Sequence, residues 1–342
     1  MIEIVFLGTA ASAPSIQRGL SSQMVLYRDE RFLVDCGEGT QRQILRSGKG
    51  FRRLQRVLLT HAHLDHILGL GGLISTFARW EAVEHLEIYG SRWALDRVED
   101  LIFGVVIRGA RPPVPIDFID VQPGVLLDSG DNGPNRNRSG DFEVCAFPVE
   151  HRGPGSFGYI FREKPRRAFL PEKAVALGVP AGPERRDLVN GQSITLADGR
   201  IIHPDDVLGP SRPGTSLAIT GDTGRVDNLV DVVQGVDMLV CEATYLLKDA
   251  DMARRFGHLT AHQAGWLARE AKVRTLVLTH LSQRYRVRDI LDEAKGVFSE
   301  TFVAQDFDHF RITRDHVLLV DERRSEEEVL WEMPPDSDFV LD

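Results

Sequence analysis

The sequence is poor in cysteine, with Cys36, Cys145 and Cys241 the only three among 342 residues. Thiols so few and so scattered exclude a disulfide framework and a cysteine-held zinc ribbon, and an odd count suits a reducing compartment. A cytoplasmic location with no disulfide partner is therefore expected. Long apolar runs are missing too. The longest, 102–107, contains Gly104, and a membrane span needs roughly 18 apolar residues, so no membrane partner is expected. The opening MIEIVFLGTAASAPS lacks the basic start and extended apolar core of a secretory signal and reads as a strand entering a loop. With 42% hydrophobic and 27% charged residues, the composition is that of a globular chain, not of a disordered, collagenous or coiled-coil one.

Positive charge is in deficit, with 41 Lys+Arg against 50 Asp+Glu and a net −9. Taken alone, that balance argues against a nucleic-acid partner. Its distribution changes the conclusion, because residues 321–342 hold nine acids and two bases, leaving only −2 for the first 320 residues. Within those, 41–56 contains Arg42, Arg46, Lys49, Arg52, Arg53 and Arg56 and no acid, while 162–186 carries seven bases against three acids. Such runs are either solvated faces or local grips for a polyanion.

Short β-rich runs at 3–7, 24–27, 32–34, 56–60, 86–89, 142–147, 157–161, 217–220, 238–241 and 275–279 alternate with helical patterns at 40–46, 68–79, 93–101, 261–271 and 288–298. The fold class is mixed α/β. The stretch 128–141 has the composition of a surface loop, and 163–213, with little strand pattern and several Gly and Pro, reads as an insertion projecting from the main domain. The acidic segment 321–342 reads as peripheral. VLLTHAH at 57–63 and VLTHLS at 277–282 are alike, two apolar strands ending in Thr-His in opposite halves of the chain. Strands that eject a histidine at their C-terminal ends can aim both imidazoles at one point between two sheets.

His61, His63, Asp65 and His66 stand in six positions directly after an apolar strand. In an extended segment His61 and His63 point the same way, and a turn at Leu64 would face Asp65 and His66 toward a second metal nearby. His151, Asp222 and His280 also follow apolar runs flanked by turn formers, where α/β sites collect functional groups. Five histidines and two aspartates suffice for two divalent ions if one aspartate bridges. Imidazole and carboxylate without thiolate favour zinc, with manganese or iron as substitutes.

These residues, together with FLGTAASAPS, LVDCGEGTQRQ, LTHAHLDHILGLGGL, SFGY, GDT, CEATY, GHLTAHQA and LTHLSQRY, resemble the metallo-β-lactamase superfamily and, within it, the ribonuclease Z (tRNase Z) family, over about 2–286. The histidine motif specifies only the superfamily. GEGTQRQ, EAT, the HLTA segment and TH-SQRY are far more specific.

The resemblance implies an αββα four-layer sandwich, residues 1–320, interrupted by a tRNA-binding arm at about 163–213. It also implies a zinc-dependent endoribonuclease that removes the 3′ trailer of precursor tRNA, leaving a 3′-hydroxyl on the tRNA and a 5′-phosphate on the trailer. His61, His63 and His151 would hold one zinc, Asp65, His66 and His280 the other, with Asp222 bridging. Asp65 would act as general base. His258 would protonate the leaving 3′ oxygen, oriented by Glu242. The sequence GVPAGPERRDLVNGQSITLADGR looks like the family's arm, which makes Arg166, Arg167, Arg185 and Arg186 candidate tRNA contacts. A homodimer is implied, one subunit's arm clamping the tRNA that the other cuts. Cys241 departs from the family, which often has His there, and the acidic tail has no counterpart in it. Other hydrolases acting on small phosphodiesters, aryl sulfates or lactones share the fold, and for them the arm would be dispensable. Di-iron oxygen reductases share it as well, but they place Glu where His63 stands.

Overall fold

Alternation along the first strand sets the architecture. In β1 (Ile2–Gly8), Ile4 and Phe6 enter one apolar core and Val5 and Leu7 another, so both faces of the strand must be covered. The computed structural model describes residues 1–80, 83–108, 112, 114–128 and 141–320. Most of the loop expected at 128–141, and the acidic segment 321–342, lie outside the described residues.

The chain continues through β2 (Ser22–Tyr27), β3 (Glu30–Val34), β4 (Leu54–Leu58), β5 (Leu86–Gly90), β6 (Ile116–Asp120), β7 (Gly124–Asp128), β8 (Phe142–Val149) and β9 (Ser156–Glu163). An excursion holds β10 (Arg166–Phe169), β11 (Ile194–Thr195), β12 (Ile201–Ile202) and β13 (Leu208–Arg212). Then come β14 (Ser216–Ile219), β15 (Met238–Glu242), β16 (Thr275–Thr279), β17 (Thr301–Val303), β18 (His309–Ile312) and β19 (Val317–Val320). Among the described residues they form an eight-stranded sheet, β19-β18-β1-β2-β3-β4-β5-β6, and a seven-stranded one, β17-β16-β15-β14-β9-β8-β7. In each sheet one run of strands is parallel, β3 to β6 in the first and β14 to β17 in the second. The strands that lead to the two Thr-His ends, β4 and β16, lie inside these runs, one in each sheet. Parallel strands are covered on both faces, which is why the whole of β16, TLVLT, is buried.

Helices α1 (Thr40–Arg46), α2 (Leu64–Ile67), α3 (Leu70–Trp80) and α4 (Arg92–Glu99) belong to the first half. Helices α5 (Pro171–Ala176), α6 (Pro183–Val189) and α7 (Pro204–Val207) belong to the excursion, and α8 (Ala250–Phe256), α9 (Ala261–Glu270) and α10 (Val287–Lys295) to the second half. Ile44, Leu73, Phe77 and Leu95, from α1, α3 and α4, pack on Val5 and Leu33 of the first sheet. Ala264, Leu267 and Ile290, from α9 and α10, pack on Leu239, Leu276 and Leu278 of the second. Between the sheets lie Phe6, Val34, Leu58, Tyr159, Phe161, Val240, Val277 and Phe310. Each such side chain taken wholly out of water contributes about 1.5–3 kcal/mol. The layers are helix, sheet, sheet, helix, and the expected four-layer sandwich is what forms.

The structure differs from the sequence reading in two places. The helix expected at 68–79 forms as α3, and a short helix that was not expected, α2, precedes it at Leu64–Ile67. The excursion, expected to be weak in strands, holds the ribbons β10–β13 and β11–β12 around a small core of its own, formed by Ala174, Val179, Leu188, Ile202 and Val207. Those strands, RRAF, IT, II and LGPSR, hold no sustained apolar run in the sequence. No described helix is long and apolar enough to cross a membrane, and all three cysteines are free.

Candidate metal centre and its hydrogen-bonded frame

Beyond β4 the chain stays extended through His61 and His63, then winds into α2, which swings Asp65 and His66 back toward the same point. That winding needs close packing against the turn after β3. The amide of Cys36 donates to the His66 carbonyl and the amide of Gly69 to the Cys36 carbonyl, an approach in which a Cβ on Gly69 would overlap the Gly37 carbonyl. From the second sheet, Gly221 turns the chain after β14 at φ +64, with Thr60 Cβ 2.8 Å from where its own Cβ would be, and delivers Asp222. His280 follows β16 at φ +55, a left-handed conformation uncommon for a non-glycine residue and frequent at functional sites.

All seven sequence-predicted ligands meet between the two sheets. His61, His63, His151 and Asp222 offer atoms within 4.8 Å of one another, as do Asp65, His66 and His280. Asp222 Oδ2 lies 3.7 Å from His61 Nε2 and 3.4 Å from both His66 Nε2 and His280 Nε2, so it faces both groups. The ring nitrogens face each other as well: His61 Nε2 and His63 Nδ1 at 3.0 Å, His151 Nε2 and His63 Nδ1 at 3.2 Å, His66 Nε2 and His280 Nε2 at 3.4 Å.

The outward nitrogens explain the arrangement. His151 Nδ1 donates to the Gly257 carbonyl at 2.7 Å, His66 Nδ1 to Asp35 Oδ2 at 2.7 Å, and His61 Nδ1 and His280 Nδ1 lie 3.0 Å from the hydroxyls of Thr60 and Thr244. With their protons held outside, these rings aim bare lone pairs inward. Lone pairs converging beside two carboxylates are the donor chemistry of a metal site, so the donor set fits divalent cations.

Electrostatics agree at His61 and His63. Burial, reinforced by the charge of neighbouring His66, pushes His61 well below its ordinary pKa, and burial with His151 lowers His63 to about 4. Both are thus neutral donors. Burial also works against charge on His66, but Asp222 and Asp35 overcome it and hold that imidazole well above its usual value. Burial opposes charge on Asp65 too, yet the His280 hydrogen bond and the charge of His66 keep its carboxyl below the usual range. The Ser12 amide donates to Asp65 Oδ2 at 2.9 Å.

Glu242 and His258 stand against this centre. Glu242, 1% exposed, accepts from the Thr223 amide and His258 Nδ1 through Oε1, and from the Thr244 hydroxyl and the Leu259 amide through Oε2. Burial lowers the pKa of His258, but the charge and hydrogen bond of Glu242 outweigh it and hold the imidazole at about 9. His258 lies 3.9 Å from Asp222 Oδ2. Cys241 is fully buried, which pushes its thiol up to about 12 and leaves it neutral.

Sequence reasoning gave no role to Asp35 or Thr244, although both lie in quoted motifs. Asp35 accepts from the Thr60 amide and hydroxyl and from His66, so one buried carboxylate fixes both ends of the segment that runs from Thr60 to His66. The candidate tRNA contacts are not brought to the centre. The excursion leaves the ends of β9 and β14 marked by the Arg162–Ser216 pair, whereas Phe157 at the other end of β9 donates to the Thr60 carbonyl beside the candidate metal ligands. Arg166 pairs with Asp141, Arg167 with Asp205, and Arg185 donates to the carbonyls of Val179 and Pro180. Arg186 is exposed.

The metallo-beta-lactamase superfamily profile matches residues 17–136. A Ribonuclease Z of Bradyrhizobium diazoefficiens is 45% identical over 309 residues, 90% of this chain and 99% of the relative. A Ribonuclease Z of Haloferax volcanii is 38% identical over 305 residues, covering 88% and 92%. The crystal structure of human tRNase Z, short form, superposes with a TM-score of 0.63 at 27% identity, covering 91% of this chain and 99% of that one.

Proposed function

The chain belongs to the ribonuclease Z family, metal-dependent endoribonucleases on the metallo-β-lactamase fold, and we propose that it removes the 3′ trailer of precursor tRNA with two zinc ions bound per subunit. The observation that carries the proposal is the pair of ligand groups sharing Asp222, with the Glu242–His258 pair beside them. His61, His63 and His151 would hold one ion, Asp65, His66 and His280 the other, and Asp222 both; manganese or iron would suit the same donors. Such a pair supplies a water activated at neutral pH and balances charge in an in-line displacement at phosphorus.

The protein's own groups do the rest. Asp65, fixed by the Ser12 amide, orients the attacking water and accepts its proton. Glu242 holds the Nδ1 proton of His258, so Nε2 is the nitrogen that gives a proton to the departing 3′ oxygen. The products are a tRNA with a 3′-hydroxyl and a trailer with a 5′-phosphate. The excursion serves as the tRNA-gripping arm, with Arg166, Arg167, Arg185 and Arg186 on it. Since it leaves the sheet at the end away from the centre, it serves the centre of a second copy more readily than its own. A homodimer contact would cover exposed apolar side chains such as Leu68, Phe103 and Val105. The free thiols suit the cytoplasm, where the substrate is made.

The test is cleavage of a 3′-extended precursor tRNA by zinc-loaded protein, with the cut mapped. We expect a cut directly after the discriminator nucleotide, lost on Asp65→Ala and on replacing residues 170–207 with a short turn. A small phosphodiester should still be hydrolysed by the arm-less protein. Intact precursor tRNA alongside turnover of the small diester would leave the hydrolase and remove the tRNA assignment.

A further inference from the structure

Basic residues in this protein divide into two classes. Several on the arm and in the run 41–56 are committed to carboxylates: Arg166 to Asp141, Arg167 to Asp205, Arg53 to Asp29, and Arg56 to Glu30 and Glu87. Beside the catalytic centre Arg225 and Arg254 are committed in the same way, to Glu150 and Asp227 and to Asp251, but two other arginines are not. Arg152 and Arg255 are both exposed, and neither pairs with a carboxylate among the described residues. Instead their guanidinium carbons lie 5.9 and 5.6 Å from the centroid of one ring, Phe256. That distance is within reach of a cation–π contact, which leaves the charge free for an anion.

The placement of this trio is enforced. Arg152 directly follows the ligand His151, and its stem runs over Gly257, which has φ +72 and whose added Cβ would lie 3.1 Å from Arg152 Cγ. Gly257 gives its carbonyl to His151 Nδ1 and precedes His258, whose ring is 5.0 Å from that of His151. The trio thus borders the side of the centre from which a proton reaches the leaving oxygen, the side occupied by the nucleotide that keeps the 3′-hydroxyl.

We propose that Arg152, Phe256 and Arg255 form a platform for that nucleotide, Phe256 stacking on a base and the two arginines meeting flanking phosphates. The proposal rests on the reading of the chain as an RNA-cutting enzyme with His258 as the proton donor. Aromatic rings stack on any base, and guanidinium groups bind phosphate while stacking on rings, so the platform takes single-stranded RNA with little sequence preference.

The experiment uses the full zinc-loaded chain and a short 5′-fluorescein oligoribonucleotide ending in a 3′-hydroxyl, with binding read by anisotropy over a range of salt concentrations. Arg152→Ala and Arg255→Ala should each weaken binding about tenfold and reduce the slope of log K against log salt by about 0.7, the value for one phosphate on a single strand. Phe256→Leu should weaken binding about tenfold and leave the slope unchanged. Arg254→Ala, at an exposed neighbour paired with Asp251, should do neither. Zinc content, measured on each variant, separates lost contacts from a disturbed His151. Equal effects at Arg254 and Arg255, or unchanged binding in all variants with zinc retained, would overturn the platform. If the platform variants lose oligonucleotide binding as expected while wild-type protein leaves precursor tRNA intact, the platform stands and trailer removal falls.

Discussion

Asp35 shows how much one carboxylate outside the ligand set can control. It holds the Nδ1 proton of His66 and the amide and hydroxyl of Thr60, one residue before His61. Asp35→Asn puts an NH2 group where donors already point, so metal affinity should fall about 10- to 100-fold, as measured by competition with a chromophoric chelator. Unchanged affinity would show that His66 is oriented by its surroundings alone. Glu242 predicts a change in pH dependence. A proton donor must be charged, so kcat/KM falls as pH rises through the pKa of His258, which Glu242 raises. Glu242→Gln removes that charge, lowers the pKa and should move the alkaline limb of the pH–rate profile to lower pH; a limb that stays in place would assign it to another group. The seven ligand candidates were legible because each follows an apolar run that a strand explains. Asp35 also ends such a run, but a lone acid carries no spacing with its partner, and His66 is 31 residues away. Thr244 was hidden for a similar reason, since a hydroxyl in a motif does not reveal that it links Glu242 to His280.

At the scale of elements, the seating of α2 against the β3–α1 turn is the most sensitive joint. Gly69→Ala sets a methyl group against backbone, which cannot rotate away, and should cost about 3 kcal/mol in urea unfolding along with metal affinity. Gly104→Ala, with nothing within 4 Å of the new carbon, should shift stability by less than about 1 kcal/mol. Equal effects would mean that the α2 seat yields. The elements read from sequence were those with a sustained period: Thr40–Arg46 and Thr275–Thr279 coincide with the expectation residue for residue. The strands β6, β7, β17, β18 and β19 and the arm ribbons were missed, because pairing with distant partners, not a pattern within them, defines them. The basic run at 162–186 was visible as charge, but its neutralisation by Asp128, Asp141 and Glu143 depends on chain pairing that composition does not record.

For the whole molecule, the three apolar cores of the sandwich are built without any ligand residue, so chelation should leave the fold standing. Stability should still drop, by about 4 kcal/mol if free metal had been a thousandfold above its Kd. Calorimetry with and without chelator would read this as a lower Tm that zinc restores; an unchanged Tm would mean that the centre binds too weakly to matter. The overall architecture was legible because its two halves repeat one plan, with a buried parallel strand leading to Thr-His in each. That plan has a consequence during synthesis. The ligands are spread from His61 to His280, and β16 sits inside its sheet between β15 and β17. A ribosome must therefore release nearly the whole chain before the centre is complete. Fragments that end before residue 280 would lack His280, one of the three residues of the second ligand group, and with it a complete centre.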